Sequence, residues 1–292
     1  MTKPTLTPPL PTLDVVIPCY NEHDSIKACF EKLLTQRDDI SRVIVVDNNS
    51  SDDSADIIKT YAEKYPEFFT YLFEPQQGAQ YARSKGLDAS AADILARIDI
   101  DTHIQPGWAK AIRTAYANDE KLQAASGVVD YYDLPFRAAT GAMTWVFIFA
   151  TNALVTRSNS LYGCNMTIRK SAWETAKKDI IMYSGIMEDT AISLALNQHN
   201  LHIGHVRGAY ASVSGRRLRS SPLSFWKYNR MWWNTYRMAG FPLRAMGIRV
   251  IVWVGNVIQA ICWVGLLFHD PVSRKWKIGR QRKDSNHNRI LP

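Results

Sequence analysis

The sequence predicts an α/β fold in which a parallel sheet is covered by helices and is followed by a helical region of different chemistry. The first observation is that short apolar runs alternate with amphipathic helical stretches between residues 13 and 129, as in sheets whose strands are joined by crossover helices. The second is that the chain becomes basic and rich in Trp after Gly215. A chain of 292 residues that is 46% hydrophobic can bury a large core, which excludes a disordered or fibrous protein.

The elements of the α/β region follow from the spacing of apolar residues and from the turn residues between them. Strands are predicted at residues 13–17, 42–46, 69–73, 94–98, 124–129 and 202–206. Helices are predicted at residues 25–34, 53–65, 80–89, 106–117, 171–176 and 189–198. Asp24 is the expected N-cap of the first helix, and Pro106 is the expected first residue of the fourth. The apolar residues 134–162 are expected to be irregular.

The region after Gly215 is expected to associate with a membrane. Residues 215–250 carry eight Lys or Arg and no acid, and six of the nine Trp lie between Trp226 and Trp276. Interleaved basic and aromatic side chains suit an anionic bilayer surface. The helix predicted at residues 224–238 combines both kinds of residue and is expected to lie in the membrane interface.

A second hydrophobic segment follows at residues 250–268, where 19 mostly apolar residues approach the length of about 20 that crosses a bilayer. Asn256 and Gln259 lie at its centre and weaken that interpretation. A full crossing would also carry the basic tail to the outer side, against the positive-inside tendency. A shallow or re-entrant segment is therefore favoured.

The distributions of charge and of cysteine limit which partners and which cellular compartment the sequence suggests. The net charge is +8, but the bases concentrate after residue 214 and leave residues 1–214 net acidic, so no nucleic-acid partner is expected. The four Cys are scattered without a C-x-x-C pair, which indicates neither a disulfide framework nor a zinc site. Residues 1–11, expected to be flexible, lack the apolar run of a secretory signal. We expect a peripheral or monotopic protein on the cytoplasmic face of a membrane.

Two polar loops follow predicted strands at their carboxyl ends, where open α/β sheets bind ligands. The loop Pro18-Cys19-Tyr20-Asn21-Glu22 follows the first strand, and Asp47 ends the second. Taken alone, the first loop is explained as well by an ordinary turn into a helix. Asp47 is placed to accept hydrogen bonds from a nucleobase or a ribose, because the helix cap that follows needs only Ser50 or Asp52.

Two further motifs lie at predicted helix starts. Arg83 follows Gly78 where a loop opens a helix, so that it either reaches a phosphate or remains a solvated surface residue. Glu188 and Asp189 begin a later helix, a position at which the helix dipole favours acids even without a function.

The strongest single signal is the set Asp99, Asp101 and His103, which directly follows a buried strand. In an extended chain these alternate side chains share one face. Two carboxylates at this spacing can hold a divalent cation such as Mg or Mn, which neutralises a diphosphate leaving group. His103 is a possible third ligand, although a lone His more often satisfies a structural hydrogen bond.

In their order and spacing these motifs resemble the family 2 glycosyltransferases with the GT-A fold, over residues 12–215. The resemblance is carried by residues 16–22, 45–52, 78–86, 99–101, 165–169 and 188–189. It implies a Rossmann-like mixed sheet, flanked by helices, that binds a nucleotide-diphosphate sugar together with Mg or Mn. Membrane-associated helices at residues 216–270 and a basic tail at residues 271–292 would follow this domain.

The resemblance also implies roles for single residues. The implied donor-binding residues are Pro18, Tyr20, Asn21, Glu22, Asp47, Gly78, Arg83 and Asp99. Asp101 is the implied metal ligand, with Asp99 and His103 beside it. Asp189 and Glu188 are the implied catalytic residues. Asp189 is the implied general base, which takes a proton from the acceptor hydroxyl in a single inverting displacement.

Two departures from the family pattern bear on the substrate. Asp47-Asn48-Asn49-Ser50 stands where many relatives have Asp-Asp-Gly-Ser, which leaves the nucleotide base open. Residues 215–219 lack the Gln-x-x-Arg-Trp motif of many processive members, which favours transfer of one sugar over polysaccharide synthesis. Arg216, Arg217 and Arg219 either close over the donor diphosphate or meet lipid head groups.

The acceptor and two alternative functions stay open. The acceptor is expected to be a glycan or a lipid-linked molecule, selected by residues 134–164. A polyprenyl-phosphate sugar synthase is similar in fold and motifs; a clear pair of C-terminal spanning helices would favour this alternative, and the sequence does not show such a pair. The alternative from another class is a non-catalytic module that binds a membrane or nucleic acid.

Overall fold

A computed structural model of the chain describes residues 9–153, 159–271, 273, 275 and 276. Most of the predicted flexible N-terminus and most of the predicted basic tail lie outside these described residues. The described chain forms one eight-stranded sheet with helices on both faces, followed by a helical C-terminal region.

The strands are β1 (Leu13–Cys19), β2 (Arg42–Asp47), β3 (Phe69–Phe73), β4 (Ile94–Ile98), β5 (His103–Ile104), β6 (Ala124–Tyr131), β7 (Asn165–Arg169) and β8 (Ile203–Val213). Their order across the sheet is β3-β2-β1-β4-β7-β6-β8-β5. Strands β1 to β4 are parallel, whereas β7 runs antiparallel to both β4 and β6, and β5 antiparallel to β8. The prediction of a parallel sheet is therefore correct for β1 to β4 and for the pair β6 and β8 but not for the whole sheet, and the mixed sheet implied by the resemblance is confirmed.

The helices are α1 (His23–Leu34), α2 (Ser54–Lys64), α3 (Ala79–Ala89), α4 (Trp108–Asn118), α5 (Arg137–Thr151), α6 (Lys170–Ala176), α7 (Glu188–Gln198), α8 (Arg216–Arg219), α9 (Pro222–Met238) and α10 (Pro242–Leu266). The predicted N-cap at Asp24 is wrong, because the carbonyl of Glu22 already accepts from Ser25 N and Asp24 lies in the first turn. Pro106 does not open α4, because Gly107 follows it in the left-handed conformation with φ +81°.

Helix α5 contradicts the expectation that residues 134–162 are irregular. Its exposed side includes Met143 and Val146, which are apolar like most of its other residues. Because a helical period is visible only where apolar and polar faces contrast, an apolar helix of this kind gives no amphipathic signal.

The sheet separates two hydrophobic cores. Alternate residues of β1 point to opposite faces, so that Val15 joins the core around Trp108 while Val16 joins the core around Trp173. Gly86 brings α3 close to the sheet, because a Cβ at this position would lie 3.0 Å from Val46 Cγ2 and still closer to Val16. The glycine therefore serves the packing of α3.

The C-terminal helices pack on the α/β domain. A small core joins Leu194 of α7 to Tyr236 of α9 and to Ile248 and Val252 of α10. Removal of α9 and α10 would therefore uncover the helix that begins with Glu188 and Asp189.

Among the described residues one helix, α10, is long and apolar enough to cross a membrane. Its two central polar residues face the domain, because Asn256 and Gln259 are buried. Gln259 Nε2 donates to the carbonyls of Leu218 at 2.9 Å and Ser220 at 3.0 Å. One side of α10 is thus bound to protein, and the opposite side is apolar and exposed.

Candidate active site

The predicted donor-binding loops meet at the carboxyl edge of the sheet. Strands β1 and β2 are neighbours, with Pro18 opposite Val46 and Cys19 opposite Asp47. The turn after β1, which contains Tyr20, therefore lies beside the turn after β2. Asp47 is buried, and its Oδ1 accepts from Ser50 N at 3.2 Å.

Asn21 ties these two turns together. It adopts a left-handed backbone with φ +51°, which Asn tolerates better than most residues. Its Oδ1 accepts from Ser51 N at 2.8 Å and from Asp52 N at 3.3 Å, and its own N donates to Ser50 Oγ at 3.0 Å. These bonds show Asn21 fixing the shape of the edge; its predicted contact with the donor stays a prediction.

Asn48 is a second positioning residue, which sequence reasoning missed. Its Nδ2 donates to the carbonyls of Glu74 at 3.1 Å and Gln76 at 2.7 Å, while its Oδ1 accepts from Gly78 N at 2.8 Å. An amide donates and accepts at once, which a carboxylate cannot do. This accounts for Asn in place of the Asp that many relatives carry, and for the placement of Gly78, whose φ of +140° suits only glycine.

Two arginines surround Asp99 at the end of β4. Arg97 Nη2 lies 2.7 Å from Asp99 Oδ1, and Arg83 Nη2 lies 3.5 Å from the same oxygen. Burial opposes ionisation, but Arg97 and then Arg83 outweigh it and hold the pKa of Asp99 below its usual value. Arg83 also forms an ion pair with Glu188 through Nη1. Sequence reasoning assigned no role to Arg97, a buried cation within a strand.

Residues 99–102 form a turn in which Thr102 N donates to Asp99 O at 2.9 Å. The expectation that Asp99, Asp101 and His103 share one face of an extended segment is therefore wrong. His103 lies on β5, and its ring stacks on Tyr132 with ring centroids 4.6 Å apart. Burial, with a contribution from Lys32, lowers the pKa of His103.

Asp101 and Glu22 are bridged by an arginine from α8. Arg216 Nη1 donates to Glu22 Oε1 at 2.9 Å, and Arg216 Nη2 lies 3.2 Å from Asp101 Oδ2. Burial, together with the charges of Asp99 and Glu22 and against the opposing effect of Arg216, raises the pKa of Asp101 to about 7. Several carboxylates that share a buried position repel one another, so a positively charged group or ion bound between them is stabilised.

These groups fit a divalent cation of the Mg or Mn type. The donor set is carboxylate oxygen, which such cations prefer, and a guanidinium already lies between two of the acids. A separate group, His23, Asp52 and Asp53, brings its ligand atoms within 4.8 Å of one another among the described residues. His23 and Asp53 are exposed on the surface, and the group lies at the starts of α1 and α2.

Asp189 begins α7 on the same edge. Its Oδ2 accepts from Gly163 N at 2.9 Å, and its Oδ1 accepts from Thr190 N at 2.7 Å. Burial and the neighbouring charge of Glu188 raise the pKa of Asp189. Tyr228 of α9 is buried near these acids: burial raises the pKa of its hydroxyl to about 12, with Asp189 and Glu188 adding to this effect and Arg217 opposing it.

Gly163 is predicted to be essential to this geometry. A Cβ at residue 163 would lie 2.9 Å from Asp189 Oδ2 and would overlap the guanidinium of Arg97. We expect Gly163→Ala to displace one of these groups and to lower kcat by roughly 100-fold, the usual effect of an error of about 1 Å in a catalytic group. Steady-state kinetics check this result. Gly265→Ala in α10 is the control, since a Cβ there meets nothing within 4 Å and its backbone lies outside the left-handed region; equal losses in both variants would contradict the account.

The mixed sheet with its acidic carboxyl edge belongs to the GT-A fold class. Residues 14–175, more than half of the chain, match the family model described as glycosyl transferase family 2. The chain belongs to this family.

Relatives and solved structures agree with this assignment. "Uncharacterized glycosyltransferase YibD" of Escherichia coli (strain K12) is 32% identical over 108 residues, covering 37% of this chain and 31% of the relative. The first curated relatives are matched over about a third of their own length.

Among solved structures, mannosyltransferase PcManGT from Pyrobaculum calidifontis, in complex with GDP-Man and Mn2+, superimposes with a TM-score of 0.63 at 15% identity, covering 89% of this chain and 75% of that one. GalNAc-T7 with UDP, GalNAc and Mn2+ gives a TM-score of 0.54 at 13% identity, covering 70% of this chain and 43% of that one. At these identities the likeness shows the GT-A fold.

Proposed function

We propose that the protein transfers a sugar from a nucleotide-diphosphate sugar to a hydroxyl acceptor, in a reaction that needs Mg or Mn and inverts the anomeric centre. The observation that carries this proposal is the meeting of Asp99, Asp101 and Glu22 with Asp189 on one edge of the sheet. Three acids suit a cation, through which a diphosphate could bind, and the fourth suits the removal of a proton. The GDP-Man and UDP present in the two structural neighbours support a donor of this chemical class.

The nucleoside would occupy the crevice between the turn after β1 and the turn after β2. Pro18 and Tyr20 would form one wall, and Asp47 would accept hydrogen bonds from the base or the ribose. Glu22, which Arg216 bridges to Asp101, would lie at the inner end of this crevice. The position agrees with the general rule that open α/β sheets bind ligands beyond the carboxyl ends of their strands.

Asp101, with Asp99 beside it, would hold the cation, which supplies neutralisation of the charge that develops on the nucleotide diphosphate. His103 as a third ligand stays a prediction, and its stacked ring would have to leave Tyr132. Arg83 is held by Glu188 and Asp99 so that its guanidinium faces the edge where the donor is proposed to bind. Glu188 therefore acts through Arg83, which makes it a positioning residue.

Asp189 would act as the general base. The acceptor hydroxyl gives its proton to a carboxylate oxygen of Asp189 as the hydroxyl oxygen attacks the anomeric carbon, and the bond to the diphosphate breaks. Hydrogen bonds from Gly163 N and Thr190 N fix the orientation of this carboxylate, and its raised pKa favours uptake of the proton. One displacement without a covalent intermediate gives inversion.

The test is a panel of nucleotide sugars with Mn²⁺, Mg²⁺ or EDTA, in which nucleoside diphosphate release is measured with and without added acceptors. The proposal expects at least one donor to react only when a divalent cation is present. Release that is equal in EDTA, or the absence of a reaction with every donor, would contradict it.

The C-terminal region is proposed to associate with an anionic membrane surface on the cytoplasmic side. Residues 216–270 would form the membrane-associating region and residues 12–215 the catalytic domain. The outer face of α10 presents Val250, Trp253, Val257 and Ile261 at helical spacing, all of them exposed. Because the opposite face is buried against the domain, α10 would lie along the surface of the bilayer.

The variant in which all four residues are replaced by serine is expected not to co-sediment with vesicles that contain anionic lipid. Its substitutions are Val250→Ser, Trp253→Ser, Val257→Ser and Ile261→Ser. The core-facing side of α10 is untouched, so donor turnover in detergent should match that of the unaltered protein and serves as the control for folding. Undiminished sedimentation of the variant would contradict the membrane proposal.

The acceptor is proposed to be lipid-linked in preference to a free glycan. Helix α5 begins just after Tyr132, which stacks on His103 at the edge of the site. Met143 and Val146 of α5 and Phe136 just before it are exposed, and they form an apolar surface next to the acidic edge. No nucleic-acid partner is proposed, because the site itself is acidic.

A further inference from the structure

Arg216 differs from the other two arginines of α8 in what it contacts. Arg219 is anchored, with Nη2 3.0 Å from Asp133 Oδ2. Arg217 lies over the ring of Tyr228, 4.2 Å from the ring centroid. Arg216 alone of the three reaches the acidic edge, where it bridges Glu22 and Asp101. Its side chain is 45% exposed, so it can swing outward while Arg219 keeps α8 in place.

The guanidinium of Arg216 contacts Glu22 Oε1 and Asp101 Oδ2, the two oxygens to which a cation would be attracted. A Mg²⁺ or Mn²⁺ ion approaches a carboxylate oxygen to about 2.1 Å, whereas Arg216 Nη2 lies 3.2 Å from Asp101 Oδ2. Two positive charges on the same small group of oxygens repel each other. A cation that takes Asp101 must therefore displace Arg216, and the freed guanidinium needs a new anionic partner.

We propose that Arg216 is an exchangeable counter-ion, which holds Glu22 and Asp101 together in the ligand-free protein and moves to the donor diphosphate when the cation binds Asp101. This inference rests on the proposed function of the same site. Arginine forms forked hydrogen bonds to phosphate oxygens as well as to carboxylates, so the diphosphate is a suitable second partner. The exchange couples the two ligands, because the nucleotide stabilises the displaced arginine.

The experiment measures Mn²⁺ affinity by the EPR signal of free Mn²⁺, first with Mn²⁺ alone and then with UDP or GDP present. In Arg216→Gln the competing charge is removed, and we expect Mn²⁺ alone to bind about tenfold more tightly than to the unaltered protein, within the range typical of such couplings. The gain in Mn²⁺ affinity caused by the nucleotide should shrink by a similar factor. Arg216→Lys keeps the positive charge but loses the forked geometry of the guanidinium. Its Mn²⁺ affinity should lie between that of the unaltered protein and that of Arg216→Gln.

Arg207→Gln is the matched control, because it removes the same charge from an exposed position on β8 and should leave Mn²⁺ affinity unchanged. Equal or weaker Mn²⁺ binding in Arg216→Gln, with the far-UV spectrum unchanged, overturns the exchange. If the unaltered protein binds Mn²⁺ and Asp101→Asn removes that binding, the proposed function stands even when the exchange fails. If Asp101→Asn changes nothing, the metal site itself is wrong and the exchange falls with it.

Discussion

Asp189→Asn is expected to lower the rate of sugar transfer by about 10²–10⁴-fold, the usual contribution of a general base. Asparagine has the same shape and keeps one oxygen that can accept from Gly163 N, although its amide nitrogen cannot accept from Thr190 N. It cannot take up the proton of the acceptor hydroxyl. Binding of the donor and cation should persist, because those contacts come from the ends of β1, β2 and β4. The measurement compares kcat with the donor dissociation constant in both proteins.

Two further observations separate a chemical role of Asp189 from a structural one. Asp179→Asn, which alters an exposed carboxylate that pairs with His199, should leave kcat unchanged. Because burial and Glu188 raise the pKa of Asp189, the acidic limb of the rate profile should lie above the pH of an ordinary Asp. Transfer in Asp189→Asn at more than a tenth of the normal rate would exclude Asp189 as the base.

Asp101→Asn is expected to abolish the effect of the cation on donor binding. The neutral amide removes the buried charge that attracts the cation, while Arg216 and Glu22 can still pair. Metal-ion stabilisation of a diphosphate is worth several kcal/mol, so turnover should fall by roughly 10³-fold or more. Isothermal titration with a reactive donor should give the same weak affinity in Mn²⁺ and in EDTA.

The control for Asp101 is Asp56→Asn, an exposed carboxylate beside Lys59 on α2. This variant should bind the donor with the same dependence on cation as the unaltered protein. A variant of Asp101 that still binds its donor tenfold more tightly with Mn²⁺ would show that the cation is held elsewhere.

Much of the site could be predicted because its residues lie where local pattern and topology agree. The carboxyl ends of β1, β2 and β4 were identified from apolar runs, and Asp47, Asp99 and Asp101 follow those runs directly. Since neighbouring parallel strands end on one edge, their polar ends had to meet there. The turn at residues 99–102 was missed because its hydrogen bond involves only backbone atoms, which place few demands on sequence.

The remaining features depend on contacts between distant parts of the chain. Arg216 and Glu22 are 194 residues apart, and no local spacing predicts that pair. Asn48 was treated only as a departure from the family pattern, because its three partners are backbone groups of another loop. The inward direction of Gln259 likewise depends on the carbonyls of Leu218 and Ser220 at the end of α8. Each of these contacts forms only when the chain has folded, and no periodicity or motif in the sequence predicts it.

The most direct test of the central claim is anomalous diffraction from crystals grown with Mn²⁺ and UDP or GDP, recorded near the manganese absorption edge. The account predicts a peak within coordination distance of Asp101, with the diphosphate beside it and Arg216 moved away from Glu22. A peak at His23, Asp52 and Asp53 instead, or a nucleotide bound away from the carboxyl ends of β1 and β2, would contradict the account.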